Sequence, residues 1–230
     1  MGTGYLNVSA TNNLLRKTFL YMFIGLLITA CVPTYIVMTN NTNMLAMIQT
    51  YYWPLIISEF VVVLVLSFAI NKLSLSMARI LFFGYALLNG FVFSIFTLFF
   101  SIYILIYALA VTAVMFLGIA IYGYTTNEDL SKYSRILFGA LIGLVILSVI
   151  NIFIKAPAFY WMVSVFGVVL FSALIAFDVN RIKNMAYEVS DGDSEMIGKL
   201  GVMGALALYL DFINLFVFIL RLFGGGSSRD

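Results

Sequence analysis

Seven stretches of this chain are predominantly apolar runs of 19 to 25 residues: 18–38, 51–70, 80–100, 102–123, 136–154, 158–182 and 200–222. At about 1.5 Å of rise per residue, such a run is long enough as a helix to cross the roughly 30 Å of a bilayer's hydrocarbon. The runs show no period-two alternation of polar and apolar residues, so helices are predicted rather than barrel strands. Composition agrees, because 63% of the residues are hydrophobic and only 10% are charged. Soluble domains run at roughly 45–50% and about 25%. A soluble globule could not hide that much apolar surface. The expectation is an all-α integral membrane protein, a seven-helix bundle in a single polytopic domain over residues 1–230. Nucleic-acid binding, collagen, disorder and a secreted disulfide scaffold are excluded. With no His and one Cys, a His-ligated metal, a His base and an intrachain disulfide are excluded as well.

Basic residues set the expected orientation. Arg16, Lys17, Lys72, Arg79, Lys132, Arg135, Arg181, Lys183 and Lys199 fall on one side of the predicted crossings, nine of the twelve Lys and Arg. That side is read as the cytoplasm, with the N-terminus inside and Lys155 opposite. Seven full crossings leave Arg221 and Arg229 on the disfavoured side. A buried or re-entrant last helix is therefore the alternative for 200–222.

Three acids interrupt the apolar runs: Glu59 and Asp211 near mid-membrane, and Asp178 toward the cytoplasmic end of its helix. An acid at the bilayer centre costs at least about 2.5–3.5 kcal/mol on insertion scales. Such residues should face the bundle interior, where they pair or line a polar path. The alternative is a packing role, in which each acid only fixes helix register. Asp178 is followed by Asn180 and Arg181, and Asp211 shares a helix stripe with Asn214 as a supporting polar group. Other polar positions read as structural. Asn89 and Asn151 are expected to make interhelical hydrogen bonds. The Gly139/Gly143 and Gly201/Ala205 pairs are expected to give close helix packing.

No hydrolase or phosphate-binding motif is present, and no catalytic residue is assigned. An aspartyl-protease dyad is the weakest reading, because AFDVN and YLDFI lack the Gly-x-Gly-Asp motif of intramembrane aspartyl proteases.

The runs LALYLDFINLFVFILRLFGG, ALIAFDVNRIK and VSDGDSEMIGKLGVMGA closely resemble the bacterial branch of the Bax inhibitor-1 family. The resemblance covers nearly the whole chain and is strongest over the last two segments. It implies a bundle whose last helix is central, surrounded by two three-helix layers. It also implies a pH-sensitive calcium leak, or a calcium/proton exchanger, in a bacterial inner membrane. Asp178 and Asp211 match the family's pH-sensing aspartates, and Glu59 its ion-path acid. The family's basic latch to the sixth-helix aspartate has Lys72 as its candidate, with Arg181 beside Asp178. Many bacterial relatives read Asp-Thr-Gln where this chain has Asp178-Val179-Asn180. Some modulate a membrane-bound AAA protease, so a non-conducting regulator of other membrane proteins is the competing function.

The expected partners are thus the lipid bilayer, calcium and protons, and in the second reading a membrane protease. No resident cofactor is expected, since calcium would be cargo. Calcium is a hard cation that takes about 6–8 oxygen ligands. Asp178, Asp211 and Glu59 alone cannot cage it tightly, which fits weak, passing occupancy. Two carboxyls in contact in a low-dielectric bundle cannot both ionise readily. The aspartate pair is therefore expected to hold one proton, and ion flux to change between about pH 5 and pH 8. Such contact requires the sixth helix to extend past Arg181, or the seventh to sit closer to the cytoplasm than hydropathy places it.

Overall fold

The computed structural model describes residues 8–154, 156–188 and 194–224. Lys155, the acidic stretch 189–193 and the tail from Gly225 lie outside the described residues. The described chain is helical, with nine α-helices: α1 (Val8–Thr39), α2 (Thr42–Thr50), α3 (Tyr52–Ala69), α4 (Leu75–Ser94), α5 (Phe96–Phe99), α6 (Ile102–Thr125), α7 (Ser134–Ile154), α8 (Pro157–Glu188) and α9 (Ser194–Gly224). Short 3-10 turns at Ile70–Lys72 and Leu130–Tyr133 precede α4 and α7. Among the described residues, seven helical segments are long and apolar enough to cross a membrane.

Several boundaries differ from the hydropathy reading, each for a local reason. The loop expected over 39–50 contains α2. Asn40 takes the left-handed conformation that Asn tolerates (φ 50°), and the Asn41 side chain accepts a hydrogen bond from the Met44 amide to start the helix. Ile48 of α2 then packs against Val32 and Ile36 of α1. The third span begins at Leu75 rather than 80, because Ser74 caps it through the Met77 amide. Arg79 therefore stands within α4, its guanidinium 5.3 Å from the centre of the Tyr21 ring. Helix α8 opens on Pro157, whose missing N–H matters least at a helix start. It runs on to Glu188, past Arg181.

The chain divides into two compact units. One comprises Met1–Ser101 and Lys183–Tyr209, the other Ile102–Ile182 and Leu210–Asp230. In the first, α1 packs along α4, and α3 lies against α4. Pro33 cannot donate to the Thr29 carbonyl four residues back. Gly90 of α4 approaches that carbonyl so closely that a Cβ there would stand 2.8 Å from it. The expected packing at Gly201 is present, with a Cβ there meeting the Lys17 side chain at 3.2 Å. In the second unit, the Phe171 and Phe218 rings stack, and Gly167 makes room for Phe218. A Cβ on Gly123 would come within 2.5 Å of the Ala176 carbonyl, so α6 and α8 approach backbone to backbone. Gly139 and Gly143 do not fulfil their expected packing role, because a Cβ at either position would meet nothing within 4 Å.

Burial separates the helices sharply. The most apolar window of α9 is 72% buried, against 6% for those of α3 and of the segment containing α7. The last helix is the core helix, and the others turn apolar side chains such as Phe68 and Phe153 outward, as lipid-facing helices do.

Candidate functional site

Asp178 on α8 and Asp211 on α9 both belong to the second unit. Their carboxyls lie close enough to interact directly with each other. The neighbourhood is apolar: Val179 and Ile175 are fully buried on α8, and Phe212 packs edge-on against Phe116 of α6 at 5.5 Å. Asp211 is 6% exposed, and its Oδ2 is buried without a hydrogen-bond partner. Its neighbouring carboxyl is thus the polar group that answers it. Carboxylates only accept hydrogen bonds, so a bond between two carboxyls requires a proton on one of them.

The surroundings of Asp178 explain its position. Arg181, one turn along α8, brings Nη1 to 3.9 Å from Asp178 Oδ1 while remaining 54% exposed. This is a long, solvent-facing ion pair of the kind that contributes little. Asn180 is 2% exposed and ties α8 to the connection between α6 and α7. Its Oδ1 accepts from the Leu130 amide at 3.2 Å, and its Nδ2 donates to the Gly123 and Glu128 carbonyls at 3.4 and 3.3 Å. The close approach of Gly123 to Ala176 lets one short side chain reach both ends of that connection. On its outer surface Glu128 pairs with Lys132 and accepts from Tyr133. Chiefly because of the Lys132 hydrogen bond, the Glu128 carboxyl is held below the usual range.

The remaining candidates are placed differently. Asn214 donates to the Leu210 carbonyl of its own helix at 2.8 Å rather than to the aspartates. Lys72 is exposed at the end of its 3-10 turn and forms no ion pair among the described residues. The cation that reaches Asp178 in this structure is Arg181. Glu59 lies on α3 in the first unit. Its Oε1 is buried and has no hydrogen-bond partner, and its carboxyl interacts electrostatically with Tyr52, Tyr85 and Tyr209. Among the described residues no three His, Cys, Asp or Glu side chains gather into a potential metal cage.

Around Glu59 stands a polar cluster that the sequence did not announce. The Tyr209 hydroxyl and Thr29 Oγ1 are 2.5 Å apart, and Thr29 also reaches the Ala86 carbonyl at 2.8 Å. The Tyr85 and Tyr209 rings meet edge to face at 5.6 Å. Asn89 bonds to the Tyr85 hydroxyl at 3.0 Å, four residues back on the same helix. This corrects the expectation of an interhelical bond: one turn of α4 already brings a partner within reach. The only hint in the sequence was Tyr and Asn spaced at i and i+4.

With this arrangement in place, its similarity to known proteins is decisive. The family described as Inhibitor of apoptosis-promoting Bax1 matches residues 11–229. The chain belongs to the Bax inhibitor-1 family. As a member of that family it is a membrane protein, and the resemblance seen in its last two segments extends across the chain. It is 38% identical over 213 residues to the Inner membrane protein YbhL of Escherichia coli strain K12, covering 91% of this chain and 90% of that one. An uncharacterized protein of Borreliella burgdorferi is 36% identical over 215 residues, covering 93% and 92%. The uncharacterized protein YrjE of Lactococcus lactis is 34% identical over 223 residues, covering 95% and 94%.

Proposed function

We propose that this Bax inhibitor-1 family protein is a pH-sensitive cation leak that passes calcium, or exchanges it for protons, with the Asp178–Asp211 pair as its proton-operated switch and Glu59 on the ion path. The observation that carries this reading is the close approach of two carboxyls, Asp211 buried and Asp178 half-buried, on neighbouring helices. While one proton is shared, a hydrogen bond ties α8 to α9. Once it is lost, two like charges face each other where Arg181 is too exposed and too distant to neutralise both. Two carboxylates about 4 Å apart repel by about 4 kcal/mol at an effective dielectric of about 20. That is roughly a thousandfold in an equilibrium constant, enough to move a helix pair between two arrangements. Deprotonation also creates a site for a passing hard cation. Such occupancy is transient, because two carboxylates fall short of calcium's preferred 6–8 oxygens.

The decisive experiment uses the purified protein alone in liposomes. Calcium flux should change at least tenfold between about pH 5 and pH 8, the range open to coupled buried carboxyls. Flux no greater than in protein-free liposomes would overturn the leak and favour a non-conducting regulator, such as a modulator of a membrane-bound AAA protease.

The proposed location is a bacterial inner membrane with the N-terminus in the cytoplasm. The printed name of the Escherichia coli relative and the one-sided distribution of Lys and Arg support it. In a Cys31→Ala background, a Cys at the exposed Ser131 should react with an impermeant thiol reagent only from the cytoplasmic face. Labelling from outside would invert the topology.

A further inference from the structure

Among the buried oxygens of the first unit that have no hydrogen-bond partner, two lie on the packed pair α3 and α4: Glu59 Oε1 and Asn89 Oδ1. They are separate from the aspartate pair, which belongs to the other unit. An unsatisfied buried acceptor costs on the order of 1–3 kcal/mol. In hydrocarbon there is no bulk water to relieve it.

The helix geometry brings the two oxygens into one neighbourhood. Helices α3 and α4 pack against each other and are joined by the turn through Ile70–Lys72. Glu59 lies eleven residues before Ile70, and Tyr85 ten residues after Leu75. At about 1.5 Å per residue both stand roughly 15 Å from the hairpin turn. Asn89 is one helical turn further along α4. It is 4% exposed and donates through Nδ2 to the Tyr85 hydroxyl at 3.0 Å. Tyr85 in turn interacts electrostatically with Glu59. Tyr85 thus relates the two: its hydroxyl holds the Asn89 amide, and it feels the Glu59 charge. Flipping the Asn89 amide would only exchange which of its atoms is left over.

The charge balance is one-sided too. Among the described residues no Lys or Arg pairs with Glu59. One carboxylate, one amide carbonyl and one phenol make an all-oxygen set, which suits a hard cation rather than a soft metal.

We propose that Glu59, Tyr85 and Asn89 form a second cation station, at which a partly hydrated calcium ion takes its protein ligands from the Glu59 carboxylate and the Asn89 carbonyl, beside the Tyr85 hydroxyl. It rests on the reading of the chain as cation-permeable and adds to it a residue, Asn89, that is not acidic. With so few protein oxygens the ion keeps most of its water, so the station binds weakly and releases quickly. Tyr209 and Thr29 close a neighbouring side of this region by bonding to each other.

The test uses the full chain in nanodiscs, in an Asp178→Asn, Asp211→Asn background that removes the other acidic station. Terbium serves as the calcium surrogate, its luminescence sensitised by nearby tyrosine. Calcium-displaceable terbium binding should be present. Glu59→Gln and Asn89→Leu should each weaken it at least tenfold. Asn89→Asp, which supplies a second carboxylate, should strengthen it, and this variant decides the matter should Asn89→Leu fail to fold. Binding unchanged within twofold in Glu59→Gln and in either Asn89 variant would overturn the station. Calcium flux through the wild-type protein in liposomes is measured alongside. Absent flux with terbium binding that responds to these variants would sink the permeation reading while leaving the station in place.

Discussion

The second unit sets two acids against each other and the first sets one among phenols. Asp178 and Asp211 interact directly, although Asp211 Oδ2 has no hydrogen-bond partner, whereas Glu59 has only tyrosines as its ionisable neighbours. The same functional group is thus set two different tasks. A pair that shares a proton has two states, one bridged and one repelling, and behaves as a switch. A lone carboxylate without a cation partner has no competing bond to lose, so its charge is available to whatever passes. In the proposed function the coupled pair is the proton switch, and the acid among tyrosines lies on the ion path.

The largest effect is expected from removing the contact's dependence on protons. Asn at position 211 can donate to Asp178 at any pH, as the protonated acid does. Asp211→Asn should fix calcium flux at the level the wild type reaches at the acid end, abolishing a tenfold or greater pH response. A mutant that keeps the wild-type profile would show that the switch lies elsewhere. Glu59→Gln should act in the opposite sense, lowering flux about tenfold at every pH while leaving the profile's midpoint in place. A shifted midpoint would mean that the two acids are not the separate devices contrasted above.

A smaller change is expected at Asn180. Replacement by Ala leaves the buried Leu130 amide without its acceptor, at a cost of about 1–3 kcal/mol. Thermal unfolding should occur several degrees lower, and the flux midpoint should move because α8 is no longer anchored beside Asp178. Asn180→Gln, which keeps an amide at that position, should recover part of both; recovery of neither would make the anchor incidental. Glu128→Gln should have the least effect. Its depressed carboxyl contributes stability that is present above the unfolded value near 4.5 and lost as the pH falls through the lower folded value. The group is fully exposed and screened. No change in Tm should be measurable at neutral pH, and a resolvable drop would reveal a connection stiffer than its exposure implies.

The spans were legible because hydropathy needs no partner: twenty apolar residues state their environment by themselves. The three acids stood out for a related reason, since a charge in an apolar run marks itself, but only Asp178 and Asp211 meet each other, and Glu59 Oε1 is left without a partner. Helix ends were less so. Hydropathy placed Arg79 outside the third span, but the start is set by Ser74 capping Met77. The Gly139/Gly143 spacing was misread because it records only that a helix could be approached, not that a neighbour is there. Thr29 and Tyr209 are 180 residues apart, and Asn180 binds backbone groups 50 and 57 residues away. Backbone acceptors carry no residue signature, so nothing in one sequence marks them.

The Asn180 anchor has a consequence in terms of thermodynamic linkage. One side chain holds the α6–α7 connection through Gly123, Glu128 and Leu130, two residues from Asp178 on the same rigid helix. Suppose a molecule binds that connection and prefers one arrangement of α8. It then changes the proton affinity of the aspartate pair by some factor. The proton must change that molecule's affinity by the same factor, since coupling between two sites is reciprocal. On the proposed function, the connection between α6 and α7 is thus a handle on the aspartate switch as well as a readout of it.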